Sequence, residues 1–134
     1  MSLDKALNNV RETVPECVAV GLVDMKTGML LGVKTVDSHP QEVLDLVAAA
    51  TGELFQGQNV SAIEQTFKRI RGAKQDGHHF FREIVVMSDN LIHVFQRCKQ
   101  NEDMVLAVIC RVSANLGMVI SKSRLELPKV EAAF

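Results

Sequence analysis

The pattern of the chain predicts an α/β fold, an α+β sandwich with a five-stranded antiparallel sheet and helices on both faces. Three observations carry this expectation. Two β-rich runs, 17–24 and 29–36, flank a short connection that ends in Gly28, which reads as a hairpin. Three further runs, 80–88, 91–99 and 104–112, are joined by the compact polar turns Asp89-Asn90 and Gln100-Asn101-Glu102-Asp103, as in an antiparallel meander. Helical periodicity fills the stretches between and around these runs. A chain of 134 residues with 47% hydrophobic and 23% charged residues suits one soluble domain, taken as 1–134.

The elements follow in order. Residues 2–13 predict a helix capped by Ser2, with Leu3, Leu7 and Val10 on one face and Pro15 as its stop. His39-Pro40 opens a second helix over 40–56, with Pro40 in the first turn and Glu42 and Asp45 favouring its N-terminal dipole. This helix carries two apolar stripes. Val43, Leu46, Val47, Ala50 and Leu54 form one, and Leu44, Ala48 and Phe55 the other. Such coverage is wider than a surface helix needs, so it predicts two packing partners, the sheet and a second chain.

A third helix is expected near 61–71. Ser61 and Glu64 have capping-box spacing, Ile63, Phe67 and Ile70 share a face, Gly72 ends the helix and Asp76-Gly77 marks a turn. The run 104–110 contains no polar residue, which places it in the middle of the sheet. Ser113 is expected to cap a last helix over 114–124, with Pro128 beyond its end. Gly117 and Ser121 lie four apart and predict close packing of that helix on the sheet. A lone glycine with no following Lys-Ser or Lys-Thr does not make a phosphate loop.

Composition narrows function. A net charge of −1 argues against nucleic-acid binding, which needs many cations on phosphates. With no Trp or Tyr, a base-stacking platform is not expected either. No apolar run reaches bilayer length, and MSLDKALNNV lacks the features of a secretory signal, so a cytoplasmic protein is expected. Three cysteines, 17, 98 and 110, read as free thiols, with Cys98 and Cys110 on neighbouring strands and able to meet.

His39, His78, His79 and His93 have no metal-ligand spacing, and Asp24, Glu83 and Asp89 read as solvated carboxylates at strand ends. No nucleophile signature is present. The expectation is therefore no catalytic residue, no metal, no cofactor and no enzyme. Lys68, Arg69, Arg71, Lys74 and Arg82 form the main charge feature, read as a solvated face or as a patch for an acidic protein surface.

Two stretches suggest a family. VAVGLVDMKTGMLLG resembles the first hairpin of roadblock/dynein light chain domains, through Val23-Asp24-Met25-Lys26-Thr27-Gly28. MVLAVICRVSANLGMVISK resembles that family's last strand and helix, through Ala114-Asn115-Leu116-Gly117, and the element order agrees over about 10–125. The resemblance implies a profilin-like, roadblock-like fold and a homodimer in which the long helix and third strand join two sheets edge to edge. It marks Val43, Leu46, Val47, Ala50, Leu54, Phe81 and Ile84 as dimer or partner interface, and leaves Lys68, Arg69, Arg71 and Lys74 as a candidate partner patch. It further implies a regulator that binds a small Ras-like GTPase and alters its hydrolysis or location. In bacteria such proteins act with a Ras-like GTPase in polarity or motility. Residues 57–79, with the helix near 61–71, stand as an insertion beside the dimer surface. The competing reading is a small-molecule sensor of the same architecture, for which Thr35 and His93 are the inward polar candidates.

Overall fold

The computed structural model describes residues 2–36, 41–74 and 78–134, with the backbone alone described for 41–46. His39, Pro40 and the Asp76-Gly77 turn therefore lie outside the described residues, as do the side chains of Glu42, Val43, Leu44, Asp45 and Leu46. The elements are α1 (Leu3–Thr13), β1 (Cys17–Asp24), β2 (Met29–Thr35), α2 (Gln41–Gln56), α3 (Gln58–Ile70), β3 (Glu83–Met87), β4 (Leu91–Arg97), β5 (Met104–Arg111) and α4 (Leu116–Glu131). The strands form one five-stranded sheet in the order β2-β1-β5-β4-β3, antiparallel at each junction.

Local chemistry explains the expected elements. The Ser2 hydroxyl accepts from the Lys5 amide and caps α1. In the β1–β2 turn the Asp24 carboxylate accepts from the Lys26 amide at 3.0 Å, and Gly28 takes φ 73° while its amide donates to the Asp24 carbonyl. That positive φ needs glycine, and the short acid tightens the turn. β5 is central, and alternate residues feed two cores. Leu22, Leu106, Val108, Ile92 and Val94 pack with Leu7, Val10, Val119 and Val130 of α1 and α4. Val23, Phe95, Val105 and Ala107 pack with Ala48 and Phe55 of α2.

Several expectations are corrected. Asn115, not Ser113, caps α4, accepting from the Met118 amide at 3.0 Å, while the Ser113 hydroxyl donates to Glu16 Oε1. α4 also runs through Pro128 to Glu131. Burial of Leu127 and Val130 offsets the missing proline donor, and the Glu131 carboxylate accepts from the Lys99 and Gln100 amides. Gly117 does not bring α4 to the sheet. It is exposed, and a Cβ there would meet only Asn115 Oδ1 at 3.3 Å. The small residue buried along α4 is Ser123. Cys110 is in register with Cys17, whereas Cys98 follows the opposite end of β4 from Ile92, the β4 partner of Cys110. The expected Cys98–Cys110 encounter is therefore absent.

Candidate interaction surface

α2 has two distinct sides. Ala48, Thr51 and Phe55 are buried against the sheet, and the Thr51 hydroxyl is satisfied by the Val47 carbonyl at 2.9 Å. Ala49, Ala50, Glu53 and Leu54 are exposed. The helix stops at Gly57, where a Cβ would stand 2.6 Å from the Glu53 carbonyl oxygen. Only glycine lets the chain turn that sharply into α3. Arg97, 2% exposed, secures this end from below. Its Nη2 donates to the Phe55 carbonyl at 3.2 Å and its guanidinium lies 5.2 Å from the Phe55 ring centroid. A cation is well placed at a helix C-terminus, and burial moves the Arg97 pKa down from its ordinary value.

α3 buries charge and exposes apolar surface. Glu64 and Lys68, one turn apart, point inward. The Glu64 carboxylate accepts from the Phe80 amide and pairs with His79 Nδ1 at 2.9 Å. Lys68 Nζ donates to the His78 carbonyl at 2.5 Å and lies 5.5 Å from the Phe80 ring centroid. The expected capping box is not formed, since Ser61 lies within α3 and its hydroxyl donates to the Gln56 carbonyl. Because Phe80 gives its amide to Glu64, β3 begins at Glu83 and not at 80. Away from these contacts, Ile63, Phe67 and Ile70 are 48%, 49% and 74% exposed.

β3 is an edge strand, paired with β4 on one side. Phe80, Phe81, Val85, Val86 and Met87 on and before it are exposed. An open apolar edge of this kind invites pairing with another strand. Glu83 is not a free solvated carboxylate. Arg124 donates to it from Nε and Nη2 at 2.9 and 2.6 Å, and these bonds hold its carboxyl below the usual range.

A cavity of about 450 Å³ lies on the α2 side of the sheet, lined by Ala19, Gly21, Val33, Val47 and Ile109. Thr35 and His93, the two polar candidates, both line it. Burial lowers the His93 pKa, and a ring nitrogen is 3.1 Å from the Ser88 hydroxyl. Among the described residues no cluster of His, Cys, Asp or Glu is arranged to hold a metal, and no helix is long and apolar enough to cross a membrane.

Neither a family model nor a curated protein matches the chain. Solved structures do. A Roadblock/LC7 domain from Streptomyces avermitilis is 17% identical, with a TM-score of 0.67 over 98% of this chain and 97% of that one. Myxococcus xanthus MglB is 17% identical, with a TM-score of 0.68 over 98% and 96%. The gliding protein MglB from Thermus thermophilus is 21% identical, with a TM-score of 0.65 over 99% and 89%. The chain has the roadblock/LC7 fold.

On this roadblock/LC7 fold the sequence-predicted interface residues divide. Ala50, Leu54 and Phe81 are exposed, Val47 is half-buried beside the cavity, and Ile84 packs partly on the α2-side core. Val43 and Leu46 lie outside the described side chains. The basic group divides as well. Arg69, Arg71 and Lys74 are exposed, but Lys68 is buried under α3 and drops out of the patch. Arg82 is engaged with Glu102 at 2.5 Å and the His79 carbonyl at 2.8 Å. Sequence reasoning missed Arg97, whose burial has no local signal, and the inward face of α3, for which the Glu64/Lys68 spacing was the available hint.

Proposed function

We propose that this protein is a non-enzymatic, cytoplasmic, dimeric adaptor that binds a small Ras-like GTPase and modulates its GTP hydrolysis or localisation. One observation carries the reading: the open, apolar edge of β3, exposing Val85, Val86 and Met87 in a fold where a second copy can extend the sheet. The outward side of α2, with Ala50 and Leu54, supplies a second apolar strip for the same assembly. The basic residues Arg69, Arg71 and Lys74 suit an acidic surface on the GTPase. A regulator acting this way contributes binding surface while the GTPase supplies the nucleotide.

Sedimentation at micromolar concentration tests the assembly. The native chain is expected to sediment as a dimer, and Ala50→Asp, at an exposed position, as a folded monomer. Co-sedimentation with GTP-loaded Ras-like GTPases encoded in the same genome tests the partner. A native monomer that retains no such GTPase sinks the proposal. A second reading rests on the cavity with Thr35 and His93, which suits a small, mostly apolar ligand. A large thermal shift with a metabolite, and none with a GTPase, would favour it.

A further inference from the structure

Cys17 and Cys110 face each other across β1 and β5 as register partners. The Cys17 thiol donates to the Ala19 carbonyl at 3.3 Å, and the Cys110 side chain lies within its hydrogen-bonding reach. We propose that Cys17 and Cys110 are a redox-active dithiol, oxidised by a hydroperoxide to a cross-strand disulfide. Partners on adjacent antiparallel strands stand roughly 4.5–5.5 Å apart at Cα, inside the span a disulfide bridges.

The two sulfurs are unequal, which assigns their roles. The hydrogen bond from Cys110 pulls the Cys17 thiol below its ordinary value, with a further contribution from Arg11. The same bond, with burial, holds Cys110 far above it. Cys17 is 8% exposed, whereas Cys98 and Cys110 are 0% exposed, so Cys17 is the least enclosed of the three. Cys17 is therefore the attacking thiolate and Cys110 the resolving thiol.

The steps balance. Cys17 releases its proton to solvent, and its thiolate attacks one peroxide oxygen. The O–O bond breaks, hydroxide leaves and takes a proton, and Cys17 becomes a sulfenic acid. Cys110 then loses its proton and attacks the Cys17 sulfur, the S–O bond breaks, and water leaves. Two thiols and one hydrogen peroxide give one disulfide and two waters, and a dithiol reductant reverses the change. Cys98 is an internal control, since burial pushes its thiol up to about 12 and no cysteine is its strand partner.

The setting gives the bond something to act on. Glu16, just before Cys17, has φ 52°, and its carbonyl accepts from the Arg111 amide just after Cys110. Its carboxylate accepts from Ser113. The disulfide would lock this junction between the turn after α1 and the end of β5. The proposal is independent of GTPase binding.

Treat the native full chain with a small excess of hydrogen peroxide and map peptides without reduction. The expected product is a single Cys17–Cys110 link, reversed by dithiothreitol, with Cys98 oxidised at least about tenfold more slowly. In urea the preference for that pair should vanish. Retention of all three thiols, a sulfinic acid on Cys17 without a link, or equal reaction of Cys98 in the native state overturns the proposal. Cys17→Ser should leave Cys110 reduced; if that variant does not fold, the native-against-urea comparison decides.

Discussion

On the α1/α4 side of the sheet, Leu22, Leu106, Val108, Val10 and Val119 are all fully buried, and the buried carboxylate of Glu131 at the end of α4 is satisfied by the Lys99 and Gln100 amides. On the α2/α3 side, Glu64, Lys68 and Arg97 are buried while Leu54, Ile63, Phe67 and Ile70 are exposed. The first side is organised like the interior of a stable domain. The second holds its elements with directional polar bonds and leaves apolar surface outward, an arrangement that costs solubility unless a partner covers it. If the proposed interface is right, stability and recognition fall on opposite faces of one five-stranded sheet.

The sharpest way to test that division is Leu106→Ala, which opens a cavity on the α1/α4 side. A loss of about 3 kcal/mol is expected in urea unfolding, with the folded fraction still binding its partner normally. A loss below about 1 kcal/mol would mean that this side is less tightly packed than described. Gly57→Ala comes next. Its Cβ must displace the Glu53 carbonyl, so a cost of about 1–3 kcal/mol is expected, with faster amide exchange concentrated in 58–70. Uniform loosening across both faces would show that α3 is not a separate unit.

Phe67→Glu should shift stability by less than about 0.5 kcal/mol, because the side chain already faces water. Partner binding, measured by titration calorimetry, should fall at least about tenfold if the α3 ridge is used. Unchanged binding would move the interface off α3. The smallest effect belongs to Glu83→Gln. The folded pKa of Glu83 is depressed by Arg124, so its contribution is present above the unfolded value of about 4.5 and is lost as pH falls through the folded value. Wild type should therefore exceed the variant slightly at pH 7, and the gap should close as pH falls below the depressed folded value. Solvent screening keeps the gap well under that of Gly57→Ala. A gap that widens in acid would exclude the Arg124 pairing as its source.

Much of this architecture was legible locally. The Asp24–Gly28 turn, the apolar run of β5 and the meander turns specify their elements within a few residues, and the hairpin and Ala114–Gly117 motifs point to the roadblock-like fold that the solved structures share. The errors arose where a short-range rule met a distant contact. Ser113 matched a cap pattern, but its hydroxyl is drawn to Glu16, 97 residues away. Pro128 matched a stop, but buried neighbours carry α4 past it. Lys68 matched a surface patch, but its ammonium satisfies the His78 carbonyl.

By itself, then, the sequence determined the order and type of the elements, because capping, turn geometry and hydrophobic period act over a handful of bonds. Tertiary structure alone decided which stripe of α3 turns inward, that Arg97 anchors the end of α2, and that Cys17 rather than Cys98 meets Cys110. An amphipathic helix is compatible with either orientation until a particular backbone amide, here that of Phe80, needs an acceptor, and strand partners far apart in the chain are set by sheet order.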